Sequence, residues 1–563
     1  MKNQFDPIEL AKENKQRVTD KQNFNNHWQI VSELVLARKS DFTSESEPGE
    51  FLQDEIFDAT APKALQLSSS AILGMVWSGG KSFDIEVSSD ELKEDDEVKN
   101  WFNKVVTPKL AKALDDPKAG LLTALDEFMT DAEAFGTPCL AAFESKNPAQ
   151  IFNFKTWNVR QFTIRENADG VVDSVWREYK STVRKLIEKH KLENLHEKVQ
   201  KLAKDGKFDE KIRVLHTIEP RNDHNPDKRD RKNLPVASVY TDLDNMHTME
   251  ESGFNERSVF VTRFYKRAIE DYGRSPAMEA LPDILMANAL KEALIMGIEK
   301  QLDPPLALYD DGSFGGGVID TGASALNVVK VDGALGTQNP IQPLFTVGSI
   351  AEANALLESL QASIKEHFFI DRLLDLNSQN EMTAREAVIR NAMRSTTMRT
   401  IVNRLTAELF TPLIERCFNV MLRAGHFGVL PGSIEHQNAQ ALGQDLPLIP
   451  EGIARMSGSD EDVYTVKYKT PAARDMEAEE VSGIINTMET AKGIADIYPE
   501  IVDKINWEAA LERVAAVGSA SGIMHSDDEV DTIREGRQEG AEEAQQQEQM
   551  AGLAAAASGG AEQ

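Results

Sequence analysis

The stretch that decides the fold begins YGRSPAMEALPDILMANALKEALIMGIEKQLDPP (Tyr272–Pro305) and resumes as SIAEANALLESLQASIKEHFFIDRLL (Ser349–Leu374). Ser275 followed by Pro276 is an N-cap with a proline at the first helical position, so a long helix is expected over Ser275–Gln301. Pro282 falls in its second turn and is expected to bend it. In the second segment Ile350, Ala353, Leu357, Leu360, Ile364 and Phe368 recur at spacings of three and four. That stripe predicts a second long helix, from Ser349 to about Leu374, packed against a neighbour. Residues 302–348 carry Pro304-Pro305, Gly315-Gly316-Gly317 and short Val-rich runs, the composition of a small, loop-rich β element set between the helices.

Beyond the second helix comes a polar break, Asp375-Leu376-Asn377-Ser378-Gln379-Asn380-Glu381. Met382-Thr383-Ala384-Arg385-Glu386 then reads as a capping box, with Thr383 as cap and Glu386 three positions on. The third long helix runs from there to about Ala424 and stops at Gly425. Pro412 lies inside it, so a kink is expected there.

Working outward, the first 50 residues are polar and read as a leading helix and loop. Helices are expected at Asp58–Val76, Glu97–Ala113 and Leu121–Phe135. QFTIRE (Gln161–Glu166) and VVDSVWREY (Val171–Tyr179), around the turn Asn167–Gly170, read as a β-hairpin. Residues 181–213 form a basic helical patch in which ten Lys/Arg face six Asp/Glu. It is either a solvated helix face or a partner or phosphate contact. Strands return at SVYTDL (Ser238–Leu243) and SVFVTRFYKR (Ser258–Arg267). Residues 471–518 are helical again. From Ser526 onward ten acids face two arginines among Gln, Ala and Gly, a composition expected to be disordered or a solvated helix.

The bulk numbers narrow the function. The chain has 563 residues, 41% hydrophobic and 27% charged, enough for a large core. No apolar run is long enough to span a membrane, and the N-terminus has no secretory pattern. Cys139 and Cys417 are the only cysteines, which excludes a disulfide framework and a cysteine-rich metal site and suits synthesis in a reducing cytoplasm. The net charge of −30 excludes a general nucleic-acid binder, which needs clustered Lys and Arg. The acidity is either plain solubility or a surface that DNA must slide past without being held.

No catalytic constellation stands out. Gly79-Gly80-Lys81-Ser82 resembles the end of a phosphate loop, but the required earlier glycine falls on Met75, and the segment before it reads as helix rather than strand. The ten histidines show no metal-ligand pairing, and His216 and His367 sit among apolar neighbours as core residues do. Asp95-Asp96-Glu97 reads as acids at a helix start, with divalent-ion binding as the weaker alternative.

The order of long helix, β insertion, long helix, polar loop and kinked helix resembles the plan of phage portal subunits. The sequence is similar to the podophage head-to-tail connector (portal) family at Tyr272-Gly273-Arg274-Ser275-Pro276-Ala277-Met278, Leu302-Asp303-Pro304-Pro305, His367–Asp371, Met382–Glu386 and Arg404–Pro412. Weaker echoes lie at Ile56–Leu65, Phe135-Gly136-Thr137 and Glu219-Pro220-Arg221. Arg385, where the family often has a smaller residue, and the basic 181–213 patch depart from the pattern.

The resemblance implies an α+β, mainly helical subunit of a cyclic, twelvefold ring around a central channel. Its wing would be 1–270 and 382–470, its stem 271–302 and 349–373, its clip 303–348, its channel loop 374–381 and its crown 471–525, with an acidic tail at 526–563. It further implies a virion protein at the vertex between head and tail, without enzymatic activity or cofactor. Its partners would be the large terminase subunit, tail adaptor proteins, scaffolding and major capsid proteins, and double-stranded DNA passing through without sequence specificity. A non-ring internal or scaffold-like virion protein is the alternative.

Overall fold

In the computed structural model, residues 4–310, 319–330, 341–344, 350–373, 398–431, 433, 436, 448–453, 464–495 and 505–517 are described, less short breaks within 40–54, at 81 and within 89–94, 148–149, 226–229 and 452. The chain divides into two compact units, Met1–Ala472 and Ala473–Gln563.

The first unit opens with α1 (Pro7–Asp20), α2 (Gln22–Val35) and α3 (Thr60–Val76). There follow β1 (Phe83–Val87), α4 (Asp96–Trp101), α5 (Thr107–Leu114) and α6 (Leu121–Phe135). Asp95 caps α4 by accepting from the Glu97 and Val98 amides, so the acid run at 95–97 is a helix start, as its sequence suggests. Gly136, at φ 76°, ends α6.

Next come β2 (Cys139–Glu144) and β3 (Phe152–Trp157), which with β9 (Val259–Val261) form an antiparallel sheet ordered β3-β2-β9. Strand β2 is apolar on both faces because it separates two cores. Leu140 and Ala142 enter a core built with α3, β1, α4, α6 and the helix around Leu413. Cys139 and Ala141 enter a second core shared with α2, α3, Trp157, Phe162 and the helix opened by Pro276.

The predicted hairpin is β4 (Phe162–Glu166) and β5 (Val172–Thr182), the first two strands of an antiparallel sheet continued by β6 (Lys211–Pro220), β7 (Val236–Asp242) and β8 (His247–Phe254). The basic patch is not one helix. It is α7 (Val183–His190), a break at Lys191 with φ 63°, α8 (Glu197–Lys204) and the start of β6. Its apolar residues are too few for a long stripe. Val183, Leu186, Leu195 and Val199 instead make a small separate core with Val214, Tyr240 and Met249.

The decisive stretch folds as α9 (Pro276–Leu302), a three-stranded sheet of β10 (Leu306–Asp310), β11 (Leu326–Lys330) and β12 (Ile341–Pro343), and α10 (Ile350–His367). Strand β10 is central, parallel to β11 and antiparallel to β12. Helix α9 continues through Pro282. The second helix is shorter than its periodicity predicts. Phe369 adopts φ 58°, and a single turn, α11 (Ile370–Leu373), follows. Left-handed backbone at phenylalanine is uncommon and is sustained here by burial of the adjacent Phe368.

The third helix is described from 398. Where a kink is predicted at Pro412, a π turn, Thr406–Phe410, leads without a break into α12 (Thr411–Arg423), which ends at Gly425 with φ 72°. A strand β13 (Tyr464–Tyr468) pairs with β1. In the second unit are helix α13 (Pro471–Ala495), which begins at the boundary, and α14 (Trp507–Val517).

Candidate functional site at the root of the helix pair

Tyr272–Met278 converges with the end of α6 and the chain after β9. The Ser275 hydroxyl caps α9 by accepting from the Met278 amide at 3.0 Å and donates to the Ala134 carbonyl at 2.8 Å. One side chain thus starts α9 and ties it to α6. Gly273 donates its N–H to Thr137 Oγ1 at 2.9 Å. Glycine is required there, because a Cβ would stand 2.3 Å from the Gly136 carbonyl oxygen. At Gly136 a Cβ would stand 2.5 Å from the Arg274 carbonyl carbon. The two backbones cross at a distance only a glycine pair permits.

Tyr272 lies beneath this crossing. Its hydroxyl accepts from the Ile164 amide at 3.2 Å, and its ring meets Phe24 and Trp28 at centroid distances of 5.3 and 5.6 Å. The same aromatic group surrounds Lys21, whose Nζ donates to the carbonyls of Val159 and Phe162. Burial, reinforced by Arg160, pushes the Lys21 ammonium down to about 7. Arg274 pairs through its backbone with Tyr265 and through its guanidinium with Glu270 at 2.8 and 2.9 Å.

The third helix is fastened to the same place. Buried Arg263 pairs with Glu166 and with Glu408 at 2.8 Å, and its amide also donates to Glu408. Arg404 donates to the Phe264 carbonyl at 2.9 Å. Because Glu408 lies within the π turn, the irregular part of the helix carries the clamp. Arg404 and Glu408 lie four apart in the matched segment Arg404–Pro412, but Arg263 is more than 140 residues from both and meets Glu408 only in the fold.

From this root α9 and α10 run side by side. Leu357, Leu360, Ile364 and Phe368 are buried against the face of α9 formed by Ala280, Leu281, Ile284, Ala287 and Leu294, while Ile350 and Ala353 are partly buried at the far end. Ser363 donates to Asp283 at 2.6 Å across the pair. Apolar residues also stay exposed on α9: Leu285, Met286, Ile295, Met296, Ile298 and Leu302 are 40–81% exposed, and Leu356 on α10 is 51% exposed. The loop residues 375–381, with Met382, Thr383 and Glu386, lie outside the described residues, as does the triglycine at 315–317.

The remaining sequence candidates are structural. Gly80 donates its N–H to both oxygens of Asp115, at 2.8 and 2.9 Å, so a carboxylate holds the turn that resembled a phosphate loop. Lys81 lies outside the described residues. His216 is buried, stacked 3.9 Å from Tyr240, with Nε2 at 2.9 Å from Ser238 Oγ, and burial holds its imidazole well below its ordinary range. His367 is half-buried. Both cysteines are buried and free. Among the described residues no three His, Cys, Asp or Glu side chains gather as a metal-ligand set. No described helix is long and apolar enough to cross a membrane.

A glycine-crossed, ion-paired root thus holds two long helices with a small sheet between them, in a chain of mixed helix and sheet. The chain belongs to the bacteriophage head to tail connecting protein family, whose pattern matches residues 9–523. It is 26% identical over 544 residues to the probable portal protein of Bordetella phage BPP-1, covering 94% of this chain and 90% of that one. It is 23% identical over 565 residues to the portal protein of Salmonella phage epsilon15, covering 98% and 94%. The family is a structural one.

Proposed function

We propose that this chain is the portal subunit of a short-tailed phage and closes with its copies into a twelvefold ring around a channel for double-stranded DNA. The observation that carries the reading is the exposed apolar surface of α9. Six Leu, Ile and Met residues stay exposed on a helix whose packing against α10 is already complete with other residues. Exposed apolar surface of this extent marks interaction sites. Burying such a side chain contributes about 1.5–3 kcal/mol. A copy seated on α9 by a repeated head-to-tail contact closes into a ring when the rotation is a whole fraction of a turn.

In this reading 271–302 and 349–373 are the stem and 303–348 the clip, which meets the large terminase subunit during packaging and tail adaptor proteins afterwards. Residues 1–270 and 382–470 are the wing, facing scaffolding and major capsid proteins, and 471–525 the crown. The polar loop 374–381, with two acids and no Lys or Arg, faces the channel. Asn377, Ser378, Gln379 and Asn380 there make transient, water-mediated contacts without gripping a duplex that carries one charge per about 1.7 Å. Asn377→Lys with Gln379→Lys is expected to slow packaging and ejection; unchanged rates would remove this role.

The ring is tested by native mass of the purified chain, beside Ile295→Glu/Met296→Glu. Wild type is expected at the mass of about twelve copies and the variant as monomer with an unchanged melting temperature. A monomeric wild type at micromolar concentration sinks the reading and favours a non-ring internal virion protein.

A further inference from the structure

The strongly acidic chain has a local exception that the helix pair does not use. Lys146 leaves the end of β2, Lys155 lies on β3 and Lys189 on α7, and all three are exposed. Two are fixed in place. Lys146 Nζ donates to the Lys189 carbonyl at 3.2 Å, and Lys189 Nζ stands 3.9 Å over the Tyr240 ring. Lys155 projects from the same face of β3 as Trp157, the ring over which Arg177 is stacked at 4.8 Å. The carboxylate in this neighbourhood, Glu250, is held by His190 Nδ1 at 2.6 Å. Among the described residues none of the three lysines forms a salt bridge. Burial foremost, opposed by Glu250 and reinforced by Arg177, Lys146 and Lys155, brings the Lys189 ammonium down to about 8. Like charges thus converge from three elements and outnumber Glu250, the carboxylate that faces Lys146 and Lys189.

We propose that Lys146, Lys155 and Lys189 form a contact site for the phosphate backbone of nucleic acid on the body of the chain, apart from the long helices. The inference rests on the portal reading, which sets the chain beside packaged DNA. Three ammonium groups are point charges that position a phosphate backbone without reading its bases. An acidic peptide would want an apolar anchor beside the charges, and among the described residues no large exposed apolar side chain lies on β2, β3 or α7. With a net charge of −30 the rest of the surface repels a duplex, so the contact is local and strongly salt-dependent.

The test uses the purified full-length chain, its assembly checked by native mass before DNA is added. Binding of a short fluorescent duplex of arbitrary sequence is then followed by anisotropy across a salt series. Lys146→Ala/Lys155→Ala/Lys189→Ala is expected to bind at least tenfold more weakly at low salt. The slope of log affinity against log salt should fall by about 2–3, near 0.9 per lost contact. Lys146→Gln/Lys155→Gln keeps the Tyr240 contact and is expected to lose about 2 from the slope. Lys198→Ala/Lys201→Ala/Lys204→Ala on α8 should leave it unchanged. The proposal is overturned by a triple variant that binds as wild type, by an equal loss in the α8 control, or by polyglutamate displacing the duplex as well as unlabelled DNA does. A wild type that fails to assemble counts against the portal reading, and it registers before any DNA is present.

Discussion

Gly273 and Gly136 hold the tightest point in the molecule, and they make the sharpest residue-level prediction. Gly273→Ala drives a methyl into the Gly136 carbonyl, which is backbone and cannot rotate aside. Overpacking of this kind costs about 1–3 kcal/mol or more, so the melting temperature of the soluble subunit should fall by several degrees. Glu133 gives a prediction in pH. It is fully buried with only the Ser68 hydroxyl to offset the loss of water, and burial holds its carboxyl well above its ordinary value. An acid whose folded value is raised contributes stability below its unfolded value and loses it as pH climbs towards the folded one. Stability should therefore decline above about pH 4.5 in wild type, and Glu133→Gln should flatten that decline in denaturant titrations run at several pH values. Of these residues, Gly273 was legible from the motif and Gly136 from a weaker echo. Glu133 was not, because an acid within an apolar helix reads as an exposed one until its neighbours are known.

At the scale of elements, the two π turns obey one rule. Phe102–Val106 precedes Thr107-Pro108, and Thr406–Phe410 precedes Thr411-Pro412. A proline inside a helix lacks an N–H and clashes with the carbonyl four residues back. One extra residue in the preceding turn moves that carbonyl aside, so the helix continues past the proline. The threonines then hold the β1–β13 ribbon. Thr107 Oγ1 accepts from the Ile85 amide, and the Thr411 and Tyr468 hydroxyls are 2.7 Å apart. Glu408, in the second π turn, clamps Arg263. Glu408→Ala leaves the buried Arg263 guanidinium with Glu166 and the Gly170 carbonyl, so a loss of about 2–3 kcal/mol in urea unfolding is expected. The stem-like stripe at 350–368 was readable because periodicity reports a buried face. Periodicity could not report the stop at Phe369, since the helical spacing runs on through it, nor that 181–213 would fold as two short helices and a strand.

For the whole molecule, the division of labour is between a body with two large cores and a helix pair that shares only one of them. The small sheet β10–β12 contributes no residue to either core. Replacing 306–343 by a short Gly-Ser linker should therefore leave the main melting transition in place, as scanning calorimetry would record; a large drop would show that the sheet supports the body. The sequence by itself determined the elements whose signals are local. These are the capped start of α9, the apolar stripe of α10, the hairpin turn at Asn167–Gly170, and the family motif from Tyr272 to Met278. Such signals lie within a few residues, where spacing and capping chemistry act directly. Only the tertiary structure decided that this motif crosses the end of α6, that Arg263 and Glu408 meet across 145 residues, that six apolar residues of α9 stay exposed, and that three lysines from separate elements converge. Those features depend on which surfaces come together, and a pattern along the chain fixes the face of an element but not its partner.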